Sequence, residues 1–228
     1  MTATDARNRV IINFHGIGEP SEGVPTAEHQ YWCPRNLWLA LADCLVETSQ
    51  DHDVAVEITV DDGNLSDVVD ALPALVERGL TASFFVCAGR FRDPRYLSAD
   101  HLRELRAAGM GIGSHGWAHV DLRRVADSEM YREVTESRAR IAEAVGAEIS
   151  AFAIPFGSYN RRVLRHLRGY DTVFTSDRVR AAPNGWLTPR YSYVHGWTPG
   201  DIRTIISTGM SPLRAARRKA AVLYKRWR

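Results

Sequence analysis

Short runs of apolar, β-branched residues alternate along the chain with longer stretches in which apolar residues recur every three or four positions. The short runs predict strands, because residues of this kind favour an extended backbone. These runs are 10–14, 54–60, 81–87, 111–114, 150–154, 172–175 and 190–194. The longer stretches predict amphipathic helices. They lie near 28–47, 66–78, 99–107, 128–145, 161–168 and 200–207.

The alternation of strands with helices predicts βα units and a mostly parallel sheet. The helix at 128–145 has the clearest pattern, because Met130, Val134, Ile141 and Val145 share one face and Gly146 provides a stop. At 228 residues the chain suits a single domain spanning 1–228 with a sizeable core. Hydrophobic residues at 45% and charged ones at 25% are typical of a globular protein in water.

Charge is distributed unevenly along the chain. The net charge is +2, but no acid follows Asp201, whereas eight bases do. Apolar residues at steps of three and four predict a basic amphipathic helix at about 212–227. One interpretation is a terminal helix packed on the body of the protein with a solvated basic face. The alternative is peripheral contact with an anionic membrane surface.

The sequence also bears on nucleic acid binding and on the cellular location of the protein. No recognisable nucleic-acid-binding fold or aromatic interleaving accompanies the bases, so we do not expect nucleic acid to bind. The first nine residues lack the apolar core of a secretory signal. The expected location is therefore the cytoplasm, with peripheral association at the inner membrane face as the variant that the basic helix suggests.

Two segments carry the candidate chemistry. Asp61 and Asp62 close the second predicted strand, and His115 and His119 follow the fourth. One Asp with two His is a ligand set suited to a catalytic divalent metal, since three protein ligands leave a position for water. The second Asp is then available as a base. The four-residue spacing of the histidines predicts one face of a helical turn. The alternative is that Asp61-Asp62-Gly63 merely forms a turn.

These segments resemble the motifs of the polysaccharide deacetylases, the carbohydrate esterase family four or NodB-homology type. The family's Thr-Phe/Tyr-Asp-Asp-Gly corresponds to residues 59–63, with Val60 at the aromatic position. Its His-Ser/Thr-x-x-His corresponds to residues 115–119, with Gly116 at the hydroxyl position. Its Arg-x-Pro-Tyr/Phe-Gly corresponds to residues 153–157, with Ala153 in place of the Arg. The resemblance implies a distorted (β/α) barrel of about seven parallel strands.

The resemblance also implies roles. One divalent ion, with zinc as the favoured metal, would be held by Asp62, His115 and His119. Asp61 would be the base. The backbone N–H of Phe156 would stabilise an oxyanion. In relatives the missing Arg orients the base. Arg190 either supplies that guanidinium from a later strand or is an ordinary surface residue.

A general acid is needed to protonate the leaving amine. Residues 13–18, Asn-Phe-His-Gly-Ile-Gly, resemble the Tyr-His-x-Val/Ile segment of the poly-N-acetylglucosamine deacetylase branch, which favours His15. His195 is the second candidate, and a structural histidine that binds a loop carbonyl is the alternative for His15.

The sequence therefore predicts a metal-dependent hydrolase that removes an N-acetyl group from an N-acetylated sugar in a glycan or glycan precursor. One alternative is hydrolysis of another non-peptide C–N bond or of an O-acetyl ester. The other is a glycan-binding module that kept the fold without catalysis.

Overall fold

Eight parallel strands form one sheet in the computed structural model, which describes residues 8–49, 54–207, 220–225 and 227. The strands are β1 Asn8–Phe14, β2 Val54–Asp62, β3 Ala82–Val86, β4 Gly111–Ser114, β5 Ala151–Ala153, β6 Thr172–Thr175, β7 Leu187–Pro189 and β8 Tyr191–Ser192. Their order in the sheet is β7-β6-β5-β4-β3-β2-β1-β8, and every pairing is parallel.

The sheet closes through one short segment. β7 and β8 are separated only by Arg190, yet β7 pairs with β6 and β8 pairs with β1. The two ends of the sheet are thereby joined, which confirms the predicted (β/α) barrel. The strand count exceeds seven because Arg190 divides the last strand. The predicted strand at 190–194 is wrong in its bounds, since pairing begins at Leu187 and ends at Ser192.

Helices cover the outer face of the barrel. The α-helices are α1 Arg35–Ser49, α2 Leu72–Glu77, α3 Ala99–Ala107, α4 Asp127–Tyr131, α5 Ser137–Val145, α6 Arg161–His166 and α7 Pro199–Ser207. A π-helical turn, Asp67–Ala71, precedes α2, and another, Arg132–Glu136, joins α4 to α5. The predicted helix at 28–47 is wrong at its start. A 3₁₀ turn, Thr26–Tyr31, comes first, and α1 begins only after Pro34, whose ring cannot continue a helix.

The two faces of the strands bury different side chains. Ile12 and Phe84 belong to the large core beneath the helices, whereas Ile11 and Phe85 belong to a small separate cluster. Because successive side chains on a strand point to opposite faces, this small cluster fills the interior of the barrel. Asn13 follows Ile11 by two positions and therefore shares the interior face. An apolar interior layer thus lies next to a polar one, towards the carboxyl ends of the strands.

The end of the chain is described only in part. Of the predicted helix at 212–227, positions 212–219 and 226 lie outside the described residues, while 220–225 and 227 are helical. Leu223, Tyr224 and Trp227 are exposed there. No helix within the described ranges is long and apolar enough to cross a membrane. The single-domain organisation and the membrane contact both stay predictions.

Candidate active site

A cavity of about 350 Å³ opens at the carboxyl ends of the strands, where barrel enzymes place their catalytic groups. It brings together side chains from loops that are far apart in sequence. Apart from His195, the alternative acid, seven residues were singled out from the sequence, and six of them line the cavity: His15, Asp61, Asp62, His115, His119 and Phe156. The seventh, Arg190, is fully buried and bonded to Asp61. The arrangement therefore collects the candidate chemistry in one place.

Asp62, His115 and His119 form a group whose potential ligand atoms all lie within 4.8 Å of one another. The Oδ1 atom of Asp62 is 3.2 Å from Nε2 of His119 and 3.5 Å from Nε2 of His115. This buried Oδ1 accepts no hydrogen bond from the described residues. A buried carboxylate oxygen without a partner, facing two imidazole nitrogens, fits a bound divalent cation.

The orientation of His115 is fixed from behind. Its Nδ1 atom lies 2.8 Å from the carbonyl oxygen of Ala153, on the next strand. Since a carbonyl can only accept, Nδ1 carries the proton and Nε2 presents its lone pair to the cavity. Burial disfavours ionisation of Asp62, but in the absence of a cation His119 and His115, when protonated, outweigh burial and lower the pKa of this carboxyl.

The backbone is strained at three site residues. Asp62, His119 and Phe156 have φ values of 78°, 56° and 59°, and they are three of the four non-glycine residues with positive φ in the described part of the chain. Such left-handed conformations persist where the surroundings enforce them, often at functional sites. The predicted helical turn for the two histidines is wrong, because residues 115–119 form a loop.

Glu133 supports this loop from below. Its Oε2 atom accepts hydrogen bonds from the backbone N–H groups of Trp117 (2.7 Å) and Ala118 (3.2 Å). Gly116 has a φ of 85°, and a Cβ atom there would lie 2.7 Å from the same oxygen. A side chain at position 116 would therefore displace the carboxylate that holds the loop, which explains the glycine. Sequence reasoning missed Glu133, because nothing local distinguishes it from other helical acids.

Asp61 is held by a buried polar network. Arg190 donates to Oδ1 and Oδ2 of Asp61 at 2.7 and 2.6 Å. Asn13 donates to Oδ2 at 3.1 Å and accepts from Thr59 and Arg190 at 2.7 and 2.9 Å. Burial raises the pKa of Asp61, but the charges of Arg190 and His115 outweigh burial and leave it lowered. Asn13 was not anticipated, since one polar residue in an apolar strand is a weak signal.

The side chains that fill the interior of the barrel explain why a small residue, Ala153, occupies position 153. The Arg190 guanidinium lies over the rings of Phe85 and Phe174, with its carbon 5.5 and 5.6 Å from the ring centroids. Ala153 belongs to the same interior cluster as these rings and is fully buried. Arg190 thus occupies the barrel interior next to position 153, and the surface interpretation of this arginine is excluded by its complete burial.

The two candidate acids lie in different surroundings. His15 lines the cavity and packs against Tyr31 with ring centroids 5.0 Å apart. Its buried Nδ1 has no hydrogen-bond partner among the residues that the structure describes. Burial lowers the pKa of His15, and the nearby Asp62 and Asp61 offset this only in part. His195 is exposed, and it is not among the residues that line the cavity. A purely structural role for His15 would require a hydrogen bond from Nδ1 to a loop carbonyl. No such bond is present within the described residues.

Asp67 is a further buried acid that sequence reasoning did not single out. It is completely buried at the start of the π-helical turn, and neither carboxyl oxygen has a hydrogen-bond partner among the described residues. Burial, reinforced by Asp62 and Asp61, raises its pKa well above the usual range. Burial therefore extends the protonated, neutral form of Asp67 to higher pH than in a free aspartate.

Comparisons with known sequences agree with the geometry. A sequence profile of the polysaccharide deacetylase family matches residues 48–173. YxkH of Bacillus subtilis strain 168, provisionally named a polysaccharide deacetylase, is 24% identical over 178 residues, which is 73% of this chain and 64% of YxkH. PgdA of Listeria monocytogenes, named a peptidoglycan-N-acetylglucosamine deacetylase, is 26% identical over 49% of this chain. The chain spans less than two thirds of YxkH and only 23% of PgdA.

Solved structures share the fold. The deacetylase PplD of Streptococcus pyogenes, solved in complex with acetate, has a TM-score of 0.75 at 19% identity, over 90% of this chain and 99% of its own. IcaB of Ammonifex degensii has a TM-score of 0.69 at 21% identity, over 90% and 98% respectively. At this identity the likeness concerns the barrel and its topology.

Proposed function

Since the chain belongs to the polysaccharide deacetylase family, we propose that it is a metal-dependent hydrolase that removes the N-acetyl group of an N-acetylated sugar. The observation that carries the proposal is the convergence of three potential ligand atoms within 4.8 Å, beside a carboxylate held by a buried arginine. This combination supplies a place for a cation and a separate base in one cavity.

The cation would be held by Asp62, His115 and His119. Two imidazole nitrogens and one carboxylate oxygen suit zinc, which takes three protein ligands and an exchangeable position in catalytic sites. A bound zinc ion would supply Lewis acidity and lower the pKa of its water from the value in bulk solvent to about 7. The Nδ1 bond of His115 to Ala153 keeps one of the three ligands oriented.

Asp61 is the proposed base. A carboxylate offers about four lone-pair sites, and Arg190 and Asn13 occupy three of those on Asp61. One site is left to accept a proton from the attacking water. Its lowered pKa makes Asp61 a weak base, which suffices for a water whose own pKa is near neutrality. The bidentate contact with Arg190 fixes the plane of the carboxylate.

His15 and Phe156 complete the proposal. His15 would protonate the departing amine. Because burial lowers the pKa of His15, its protonated ring is a stronger acid than a free imidazolium. Phe156 would place its backbone N–H at the developing oxyanion. Its ring lies 4.4 Å from that of His119, so this loop and the ligand loop are in contact.

The cavity supports a carbohydrate substrate. Its volume lies within the range of small-molecule sites. Tyr31, Trp32 and the half-exposed Phe156 provide flat apolar surfaces against which sugar rings can stack. PgdA, which is named for its action on N-acetylglucosamine in peptidoglycan, supports N-acetylglucosamine as the first unit to examine.

Acetate release from N-acetylglucosamine oligomers, measured after zinc is restored to dialysed protein, tests the proposal. We expect turnover in the wild type, none with Asp61→Asn, and loss of bound zinc with His119→Ala. Asp61→Asn should retain zinc, since Asp61 is not a proposed ligand. Glycan binding without acetate release would instead support the glycan-binding alternative. Faster hydrolysis of O-acetyl esters or of other amides would assign one of these as the substrate instead of an N-acetylated sugar.

A further inference from the structure

A second cavity has a volume of about 420 Å³. It is formed by the loop that follows His119, the loop that follows β5, and the helical residues near the end of the chain. Its lining residues are Arg123, Arg124, Tyr159, Asn160, Tyr224 and Lys225. Three of these six carry a positive charge and none is acidic, so the cavity presents a concentrated positive potential.

Nearby carboxylates balance this charge only in part. Asp121 is shared by two guanidinium groups, at 3.0 Å from Arg123 and 3.5 Å from Arg124. Lys225 pairs with the buried Asp177 at 2.7 Å. Two carboxylates therefore face three cations. The Arg124 side chain, which lines the cavity, is 84% exposed, so its guanidinium is accessible to a ligand from solution.

Asn160 adds a hydrogen-bond donor to the cavity. Oδ1 of Asn160 accepts the backbone N–H of Val163, which leaves the Asn160 amide to donate. Guanidinium groups bind phosphate through paired, charge-assisted hydrogen bonds, and a lysine adds a point charge. We propose that this second cavity is a binding site for a phosphoryl group.

The residues that line the second cavity lie close in sequence to residues of the active site. Arg123 and Arg124 follow the potential ligand His119 by four and five positions, and Asn160 follows Phe156 by four. Lys225 also reaches the carbonyl oxygen of Gly157, the residue after Phe156, at 3.5 Å. A phosphoryl group bound in the second cavity would therefore contact the two loops that carry His119 and Phe156. Two sources share this chemistry: a phosphate carried by the carbohydrate substrate, and the headgroup of an anionic lipid. Only the assignment to substrate rests on the proposed function, because phosphate binding itself needs no hydrolysis.

Calorimetric titration of the zinc-loaded protein with inorganic phosphate and with N-acetylglucosamine 1-phosphate tests the site. We expect Arg124→Gln to weaken phosphate binding about tenfold or more, whereas Arg140→Gln, on an exposed helix face, should bind as the wild type does. The two variants lose the same charge, so the comparison separates a local site from net charge. Equal binding by both variants, or no binding of phosphate in any form, would overturn the inference.

Vesicles separate the two sources. Binding to phosphatidylglycerol vesicles but not to phosphatidylcholine ones, lost in Arg124→Gln and without binding of soluble phosphate, would assign the site to a lipid headgroup. A KM for phosphorylated sugars that rises in Arg124→Gln, with the KM for neutral sugars unchanged, would assign it to substrate. Absence of acetate release would contradict the proposed function and leave the binding result intact.

Discussion

Arg190 binds Asp61 through two parallel hydrogen bonds of 2.7 and 2.6 Å, although 129 positions separate the two residues in the sequence. Both side chains are almost completely shielded from water. The charge of each is therefore compensated mainly by the other. A guanidinium from the segment between β7 and β8 thus contacts Asp61, in a chain whose third motif has Ala153 at the position of the family's arginine.

Replacement of Arg190 by Met should destabilise the fold by about 3–5 kcal/mol, because it leaves a buried carboxylate without its charged partner. Arg203→Met provides the matched control, since Arg203 pairs with Glu47 at the surface and its loss should change stability by about 0–1 kcal/mol. Urea unfolding of both variants measures the difference. Equal losses would mean that the buried pair contributes no more than an exposed one.

Ala153→Arg should destabilise the wild type but not the Arg190→Ala background. In the wild type the barrel interior next to Ala153 is already filled by Phe85, Phe174 and the guanidinium of Arg190. Overpacking there should cost about 1–3 kcal/mol. A double-mutant cycle of unfolding free energies measures the coupling. Additive effects would show that the two positions do not share one space.

His15→Gln should lower kcat about 100- to 10,000-fold, the usual contribution of a positioned acid, while zinc content is unchanged. His195→Gln should leave kcat near that of the wild type, because His195 is exposed and does not line the cavity. Steady-state acetate release and metal analysis compare the pair. The reverse pattern would transfer the acid role to His195.

Gly116→Ala should weaken zinc binding and lower stability more than Gly146→Ala does. Both glycines have positive φ, so both substitutions impose backbone strain. Only at position 116 does the added Cβ meet Glu133, 2.7 Å away, whereas nothing lies within 4 Å at position 146. Competition with a zinc chelator and thermal unfolding report the two effects. Equal behaviour of the variants would remove the role assigned to Glu133.

Asp67→Asn should become progressively more stable than the wild type as the pH rises above about 4. Burial raises the pKa of Asp67, so the unfolded chain loses this proton at lower pH than the folded chain does. The wild type therefore loses stability as the pH rises from the pKa of Asp67 in the unfolded chain towards its higher pKa in the folded chain. The variant escapes this loss, because asparagine does not ionise. Unfolding free energies between pH 3 and 8 measure the difference, and a gain independent of pH would exclude ionisation as its cause.

Local patterns predicted much of this molecule. The bounds of α3, β4 and β6 match their predicted ranges, because caps, glycines and β-branched runs mark these elements within a few residues. Asp61, Asp62, His115 and His119 were recognisable because motif spacing and strand ends place them together.

Other features depend on partners that are distant in sequence. The strand that closes the barrel was misplaced, because its pairing changes from β6 to β1 across Arg190 and no local pattern records that change. Asn13 and Glu133 were missed for the same reason, since their roles exist only through bonds to remote groups. The start of α1 was within reach of the sequence, as Pro34 marks it.

The segment that joins β6 to β1 has a consequence for the time course of folding. The hydrogen bond from Arg190 to Asn13 spans 177 positions, so it forms only when the two ends of the chain meet. A partly assembled barrel would already contain Asp62, His115 and His119, yet its base would lack an orienting cation. In a refolding experiment, recovery of zinc binding should therefore precede recovery of turnover, and the interval between them would report on closure.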